Sequence, residues 1–228
     1  MIEILSKTKN YVVIYKPSGV PSQKDPSGDA DAMLLTSNKL SELGESNALW
    51  LIHRLDRVAS GIMIFARNKK YAAILSEIVK ERLLTKEYYA VVDGECDDGL
   101  MRDLLIKDTA RSKAFVTDRA RQGAKEAVLH CRRLCTVSTE RGVKTLVHVS
   151  LETGRFHQIR AQLSSRGTPI TGDGKYGSRD KMTGIALMAA HLSIELPEKT
   201  VEATRLPDLN LYPWSLFELS DYEVGAAE

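Results

Sequence analysis

Apolar residues occur in short alternating or continuous runs along most of the chain, and this pattern predicts β-strands. The predicted strands are YVVIYKP at 11–17, IMIFARN at 62–68, KEYYAVVDGE at 86–95, KAFVTD at 113–118, EAVLHCRRLCTV at 126–137, VKTLVHVSLE at 143–152 and IALMAAHLSIELP at 185–197. Pro17 and Pro197 end the first and the last of them, because proline cannot donate to a strand ladder.

Two segments have apolar residues at the three-to-four spacing of an amphipathic helix. One is Lys69–Leu83, and the other is FHQIRAQLSSRG at 156–167, where Gly167 can take the left-handed conformation of a helix end. SGVPSQKDPSGDADA at 18–32 predicts a loop. Few helices among many strands, without regular βαβ alternation, predict an α+β fold with a largely antiparallel (mixed) sheet and flanking helices. Without a repeat or a linker, a single domain over residues 1–228 is expected.

Composition adds little to this picture. Hydrophobic residues make up 43% and charged residues 27%, which is ordinary for a globular protein, and no apolar run is long enough to cross a membrane. Absence of a basic and then apolar N-terminus, and three cysteines without a CxxC pair, predict a cytoplasmic protein. Cys131 and Cys135, with His130 and His148, could ligate a metal; packed thiols and strand histidines are favoured, because zinc ligands have tighter paired spacing.

Charge is informative through its distribution, since the net charge is only +2. Five basic residues share a short stretch with a single acid, Asp118: Arg111, Lys113, Arg119, Arg121 and Lys125. A second cluster consists of Arg155, Arg160 and Arg166. Each cluster has two interpretations, a phosphate-binding surface or a solvated face.

Three polar clusters interrupt the strand and helix pattern: HRLD at 53–56, TGRFHQIR at 153–160 and GDGKYG at 172–177. In the first, Asp56 lies between Arg54 and Arg57 just before a buried strand. A helix cap or a surface ion pair would explain a lone aspartate. A carboxylate kept ionised beside arginine next to a core strand is better explained as a nucleophile or general base.

In TGRFHQIR, a helix would place Phe156, Ile159 and Leu163 on one core-facing stripe, with Arg160 projecting inward beside it. Three polar residues would crowd the helix N-terminus, where main-chain N–H groups favour phosphate: Arg155, His157 and Gln158. The alternative is a core-packing helix with a polar first turn. GDGKYG fails as a phosphate loop, because Pro169 and Tyr176 replace the required glycine and hydroxyl residue, and predicts a tight turn with a buried or stacking tyrosine. No metal or cofactor motif is present, so side chains alone are expected to perform the chemistry.

Taken together, these segments resemble the RluA family of pseudouridine synthases. HRLDRVASGIMIFARN is similar to the family's signature, YKPSGVPS to its KP-x-G segment, KEYYAVVDG to its K-x-Y-x-A strand, and LETGRFHQIRAQL with PITGDGKYG to its third motif. The four segments follow the family order from Lys16 to His191. Val58 and Ala59 stand where the family commonly has Asp-Thr. This departure is expected to affect the geometry of the loop more than the activity. The resemblance is to compact members that lack an N-terminal S4-type module.

The resemblance implies a function and a set of site residues. Asp56 corresponds to the essential aspartate, which attacks either the ribose or the uracil ring. Tyr88 corresponds to the tyrosine that packs on the uracil, Arg160 to the arginine that pairs with the aspartate, and Arg54 to a residue that fills the space of the flipped base. A uridine in structured RNA must leave its stack to be reached. No cofactor is implied.

The expected partner is therefore ribosomal or transfer RNA, with Arg155, His157 and Gln158 as further substrate-binding residues. Neither a membrane nor DNA is expected as a partner, and the protein is expected to be a monomer. Two alternatives stay open: a non-catalytic RNA-binding protein of the same fold, and a glycosidic hydrolase using Asp56, although these motifs lack the second carboxylate such chemistry needs. Because burial alone would neutralise Asp56, Arg160 is predicted to lie within salt-bridge reach of it.

Overall fold

The computed structural model describes residues 1–218, which form eleven strands and three α-helices. The strands are β1 (Glu3–Lys7), β2 (Tyr11–Lys16), β3 (Trp50–Leu51), β4 (Ser60–Ala66), β5 (Leu84–Asp93), β6 (Gly99–Asp108), β7 (Lys113–Thr117), β8 (Lys125–Thr139), β9 (Gly142–Leu151), β10 (Leu187–Leu196) and β11 (Lys199–Thr204). The helices are α1 (Ala32–Glu42), α2 (Lys69–Lys80) and α3 (Gln158–Ser165). No helix within residues 1–218 is long and apolar enough to cross a membrane.

The first of two compact units contains Met1–Thr85 and Ala189–Arg205. Its strand order is β1–β2–β4–β10, with β3 paired to β4 and β11 to β10. The pairs β1–β2, β2–β4, β3–β4 and β10–β11 are antiparallel. Helix α2 covers one face of the central strands, with these buried residues in one cluster: Val13, Ile62, Ile64, Tyr71 and Leu75. Burying each such side chain contributes about 1.5–3 kcal/mol, so this cluster anchors β4 and the loop that precedes it.

Close packing at Gly61 fixes where that loop joins β4. Gly61 has a φ of +130°, and a Cβ there would lie 2.4 Å from the main-chain nitrogen of Ala189. Only glycine tolerates both the dihedral angle and the contact. The backbone that follows the HRLD segment is therefore held in one position.

The second unit contains Lys86–Met188 and the chain from Leu206 onward. Its strand order is β5–β9–β8–β6–β7, and each neighbouring pair is antiparallel. A buried cluster joins α3 to the strands and to the GDGKYG turn: Leu105, Ala114, Ala127, Ala161 and Tyr176. The predicted role of Gly167 is confirmed, since α3 ends at Ser165 and Gly167 has a φ of +79° with its N–H bonded to the carbonyl of Ser164.

The α+β class and the seven predicted strands are confirmed, with ends shifted by a few residues. Helix α1 was not predicted, because its apolar residues Met33, Leu34 and Leu35 are consecutive and hide the helical period. Its N-cap Asp31 accepts a hydrogen bond from the N–H of Leu34, and Leu40 is fully buried. Strands β1, β3, β6 and β11 were also missed, because they are short or interrupted by charged residues. The single domain over residues 1–228 stays a prediction.

Candidate active site

Asp56 lies on the loop between β3 and β4 and is half-buried, between the buried Leu55 and the exposed Arg57. The main chain on its N-terminal side is held by Ser22, whose hydroxyl donates to the carbonyl of Leu55 at 2.7 Å and accepts from its N–H at 3.0 Å. His53 ties the same segment to β4, because its Nε2 accepts from the N–H of Ile64 at 3.1 Å. The loop therefore positions the Asp56 main chain from one side.

Lys16 holds the other side of the loop. Its side chain is fully buried, and Nζ donates to the carbonyls of Ala59 at 2.7 Å, Val20 at 2.9 Å and Pro17 at 3.0 Å. Burial lowers the pKa of Lys16 to about 7, against the opposing effect of the negative charge of Asp56. A buried ammonium surrounded by carbonyls thus ties the KP-x-G segment to the residues that follow Asp56.

Further bonds from the KP-x-G segment reach the two positions that depart from the family pattern. The Ser18 hydroxyl donates to the carbonyl of Val58 at 2.6 Å, and the Gly19 N–H donates to that of Arg57 at 2.8 Å. Lys16 contacts Ala59 through its carbonyl as well. Since Val58 and Ala59 take part through main-chain atoms that any residue supplies, their substitution leaves this framework intact.

The two arginines of HRLDR differ in their surroundings. Arg54 is exposed. Arg57 forms ion pairs with Asp29 and, at 3.8 Å, with Asp25. These pairs tie Arg57, which is also exposed, to the loop predicted at 18–32.

In the second unit, Arg160 on α3 is buried, as the helical stripe predicted. Its Nε donates to Asp173 Oδ2 at 2.7 Å and its Nη2 to Oδ1 at 3.0 Å, in a bidentate pair that is almost completely buried. Charge-assisted pairs of this geometry fix the orientation of a guanidinium as well as its position. The pairing of Arg160 with Asp56 remains a prediction.

Tyr176 connects Arg160 to its surroundings. The guanidinium carbon of Arg160 lies 4.9 Å from the ring centroid of Tyr176, and Lys113 Nζ lies 4.7 Å from it. The hydroxyl accepts from the N–H of Ala114 at 2.8 Å and lies 2.9 Å from Nδ1 of His157. Of the buried or stacking tyrosine predicted for GDGKYG, the burial is confirmed.

The residues before α3 form a tightly bonded turn. His157 has a left-handed φ of 53°, and its ring stacks on Phe156 with centroids 3.8 Å apart. Gln158 is buried; its Oε1 accepts from Thr153 Oγ1 at 2.8 Å and from the N–H of Arg155 at 3.0 Å, and its Nε2 donates to the carbonyl of Val128 at 3.1 Å.

The amide of Gln158 holds the turn formed by Thr153, Gly154 and Arg155 in place. The contact of Gln158 with substrate stays a prediction. Arg155 and His157 are both half-buried. Arg155 Nε donates to the carbonyl of Glu126 at 2.8 Å, which places its guanidinium beside the start of β8.

Strand β5 carries Tyr88, which is buried and lies opposite Val149 of β9. Lys86, two residues earlier, points to the same face of the strand. Burial lowers the pKa of Lys86 below its ordinary value. Lys86 therefore joins Lys16 and Asp173 as candidate site residues that the sequence analysis missed. All three lie in segments that resemble the family, so the motifs marked the segments without assigning these side chains.

The cysteines and histidines considered as metal ligands have other neighbours. Cys131 Sγ lies 3.8 Å from Cys96 Sγ in the interior, and the ring nitrogens of His130 and His148 lie 2.7 Å and 3.0 Å from the carboxylates of Glu152 and Glu87. No group of three potential metal-ligating side chains occurs in the described part of the chain.

Comparison with known proteins identifies the family of this chain. The family described as RNA pseudouridylate synthase matches residues 10–165, which is more than half of the chain. This chain belongs to that family. The match contains the loop of Asp56, strand β5 with Tyr88, and Arg160.

Individual relatives give the same result. A Bacillus subtilis protein named as an uncharacterized RNA pseudouridine synthase, YhcT, is 30% identical over 79% of this chain and 59% of its own length. Ribosomal large subunit pseudouridine synthase C of Rickettsia felis is 30% identical over 86% of this chain and 63% of its own length. The chain thus spans about three fifths of these relatives. The structure of human RNA Pseudouridylate Synthase Domain Containing 4 has a TM-score of 0.73 at 25% identity, covering 90% of this chain and 88% of the human one.

Proposed function

We propose that this protein isomerises a specific uridine in structured RNA to pseudouridine. The observation that carries the proposal is the HRLD loop, in which a half-buried Asp56 is held on a main chain fixed by Lys16 and Ser22 in a member of the RNA pseudouridylate synthase family. Such a loop offers a carboxylate in a constant position while leaving its side chain accessible, which a nucleophile requires.

In this proposal Asp56 attacks the flipped uridine, at the ribose or at the uracil ring. The N1–C1′ bond breaks, the uracil turns, and a C5–C1′ bond forms; the bond to Asp56 breaks again, the C5 proton is lost and N1 gains one. The reaction therefore leaves the mass of the RNA unchanged. Tyr88 packs on the uracil and assists removal of the C5 proton, Arg160 pairs with Asp56, and Arg54 occupies the space of the flipped base. No cofactor or metal takes part.

The RNA backbone is proposed to bind basic side chains of the second unit. Lys113, Arg119, Arg121 and Lys125 lie on or beside β7 and β8 and form no ion pair within the described residues; Arg111, in the same segment, pairs with Asp108 at 3.7 Å. Arg155, His157 and Gln158 add a site at the start of α3. Because a relative is named for the large ribosomal subunit, large-subunit ribosomal RNA is the first substrate proposed, with transfer RNA as the second. A monomer in the cytoplasm is proposed as the working form.

The test is incubation of the purified protein with ribosomal RNA and transfer RNA lacking modifications, followed by nucleoside analysis and mass measurement of the RNA. New pseudouridine at constant RNA mass supports the proposal. Release of free uracil would indicate the hydrolase instead. Tight binding of RNA with neither product would indicate the non-catalytic RNA-binding protein.

A further inference from the structure

The turn that presents Asp173 and Tyr176 is tied to strand β5 by one carboxylate, that of Asp93. Asp93 Oδ1 accepts a hydrogen bond from Thr171 Oγ1 at 2.7 Å, and Oδ2 accepts one from Ser178 Oγ at 2.6 Å. Thr171 precedes the turn and Ser178 follows it. A single side chain therefore clamps both ends of the segment that carries the partner of Arg160.

The clamp extends into the main chain of the turn. Ser178 Oγ, while donating to Asp93, accepts from the N–H of Gly172 at 2.9 Å. Gly172 has a φ of +87°, and a Cβ there would come within 2.3 Å of Met182 Cγ. The backbone directly before Asp173 thus has one conformation, set by Ser178 and by close packing.

A buried cation compensates the negative charge of Asp93. Lys144 on β9 is almost completely buried, and its Nζ donates to Asp93 Oδ1 at 2.5 Å and to Asp180 Oδ2 at 2.7 Å. Burial acts to lower the pKa of Lys144, but the hydrogen bonds that Lys144 donates to Asp180 and Asp93 outweigh it and leave the pKa above its ordinary value. Tyr212 donates to Asp180 and closes the network.

We infer that Asp93 is a positioning residue for this site: through Thr171 and Ser178 it fixes the turn that holds Asp173 in bidentate contact with Arg160. Two parallel hydrogen bonds to a guanidinium require both carboxylate oxygens in register, and a carboxylate that shifts or rotates loses one of them. Arg160 would then reorient relative to its substrate. This inference rests on the proposed function, since it gives the network a task in the reaction of Arg160.

The first experiment removes one hydroxyl of the clamp while keeping its shape. Thr171 is fully buried, and its hydroxyl donates to Asp93. Thr171→Val keeps the shape of the side chain and loses this hydrogen bond, whereas Thr171→Ser keeps the hydroxyl. We expect Thr171→Val to lower kcat about tenfold with KM for RNA unchanged, since small displacements of reacting groups cost this much or more. Thr171→Ser should stay within about twofold of the parent.

The matched control is Thr36→Val. Thr36 is equally buried, but its hydroxyl donates to the carbonyl of Ala32 within α1, in the first unit. It should lower the melting temperature as Thr171→Val does and leave kcat unchanged. A tenfold loss of kcat in this control, or none in Thr171→Val, would overturn the inference.

A double-mutant cycle separates positioning from general destabilisation. If Thr171 acts through Asp173, Thr171→Val should cost nothing further in single-turnover rate once Asp173→Asn is present. Full additivity of the two losses would contradict the inference, because independent effects add.

A spectroscopic measurement decides the inference even if no turnover is found. The Nε–H resonance of Arg160, assigned by its loss in Arg160→Lys, should shift in Thr171→Val and return in Thr171→Ser. An unchanged resonance in Thr171→Val would overturn the positioning role. An inactive parent protein whose Arg160 resonance responds as expected would overturn the proposed function and leave the structural role of Asp93 standing.

Discussion

The loop of Asp56 and the surroundings of Arg160 differ in the contacts that hold each residue in position. The main chain beside Asp56 is bound by other side chains: Lys16 and Ser22 form hydrogen bonds with carbonyls and an N–H, and Asp56 is half-buried. The side chain of Arg160 is itself bound: Asp173 accepts from two guanidinium nitrogens, and the ring of Tyr176 lies against the guanidinium. In the first region the described bonds fix the backbone, and in the second they fix the charged group.

This difference predicts that substitutions will separate activity from stability differently in the two regions. A side chain that contributes little to holding its own loop can be replaced at little cost in stability. A side chain inside a buried charge pair cannot be replaced so easily. Removing one partner leaves the other charge uncompensated, which lowers the free energy of unfolding by about 3–5 kcal/mol.

The largest effect is expected for Asp56→Asn. Asparagine keeps the shape and loses the charge and nucleophilicity, so turnover should fall by at least about 10³-fold, as for nucleophiles of other enzymes. The melting temperature and RNA affinity should remain close to the parent. Asp97→Asn, in the exposed loop between β5 and β6, is the control for the loss of one negative charge. Substantial pseudouridine formation by Asp56→Asn would refute the assignment.

Arg160 should lose both activity and stability. Arg160→Met is expected to lower turnover by about 10²-fold and the free energy of unfolding by about 3–5 kcal/mol, because Asp173 remains buried without its partner. Arg160→Lys should impair turnover clearly, since lysine cannot offer two parallel donors, but less than Arg160→Met, because lysine keeps the positive charge beside Asp173.

The double variant Arg160→Met with Asp173→Asn tests this explanation. Removal of both charges should restore much of the stability while turnover stays low, as measured by denaturant unfolding and by pseudouridine formation. If the double variant is as unstable as Arg160→Met, the buried charge of Asp173 is not the cause of the instability.

Lys16 should show itself in the pH dependence of stability. Its pKa is lowered from 10.5 to about 7 on folding, so between these values the unfolded chain binds more protons than the folded protein. Stability should therefore increase with pH from about 7 towards 10.5 through this group. Lys16→Met should lack that contribution. The measurement is denaturant unfolding at several pH values. If the pKa of Lys16 were not lowered, the free energies of unfolding of the two proteins would change in parallel with pH.

The smallest effect concerns the basic segment Arg111–Lys125. If one of its side chains contacts a phosphate, its replacement by alanine should flatten the slope of log affinity against log salt by about 0.7–0.9. RNA affinity measured between low and moderate salt checks this. Unchanged affinity and slope for every such variant would make the segment a solvated face.

The sequence by itself determined the class of fold and the segments of the site. Alternating apolar runs are short-range patterns, so strands such as β4 and β9 could be predicted, as could the burial of Arg160 beside the helical stripe. The consecutive apolar residues of α1 carry no helical period, and that helix depends on a buried Leu40 and a cap at Asp31.

Tertiary structure decided which polar residues hold which. Lys16 binds the carbonyl of Ala59, 43 positions along the chain, and Asp93 binds the hydroxyl of Ser178, 85 positions away. Such pairs depend on folding distant segments together and leave no spacing signal in the sequence. Gln158 illustrates the same limit from the other side. Its place at the start of a helix predicted a substrate contact, which stays a prediction. The three hydrogen bonds that its buried amide forms with the turn before α3 could be seen only in the folded structure, because a buried polar group finds its partners inside the protein.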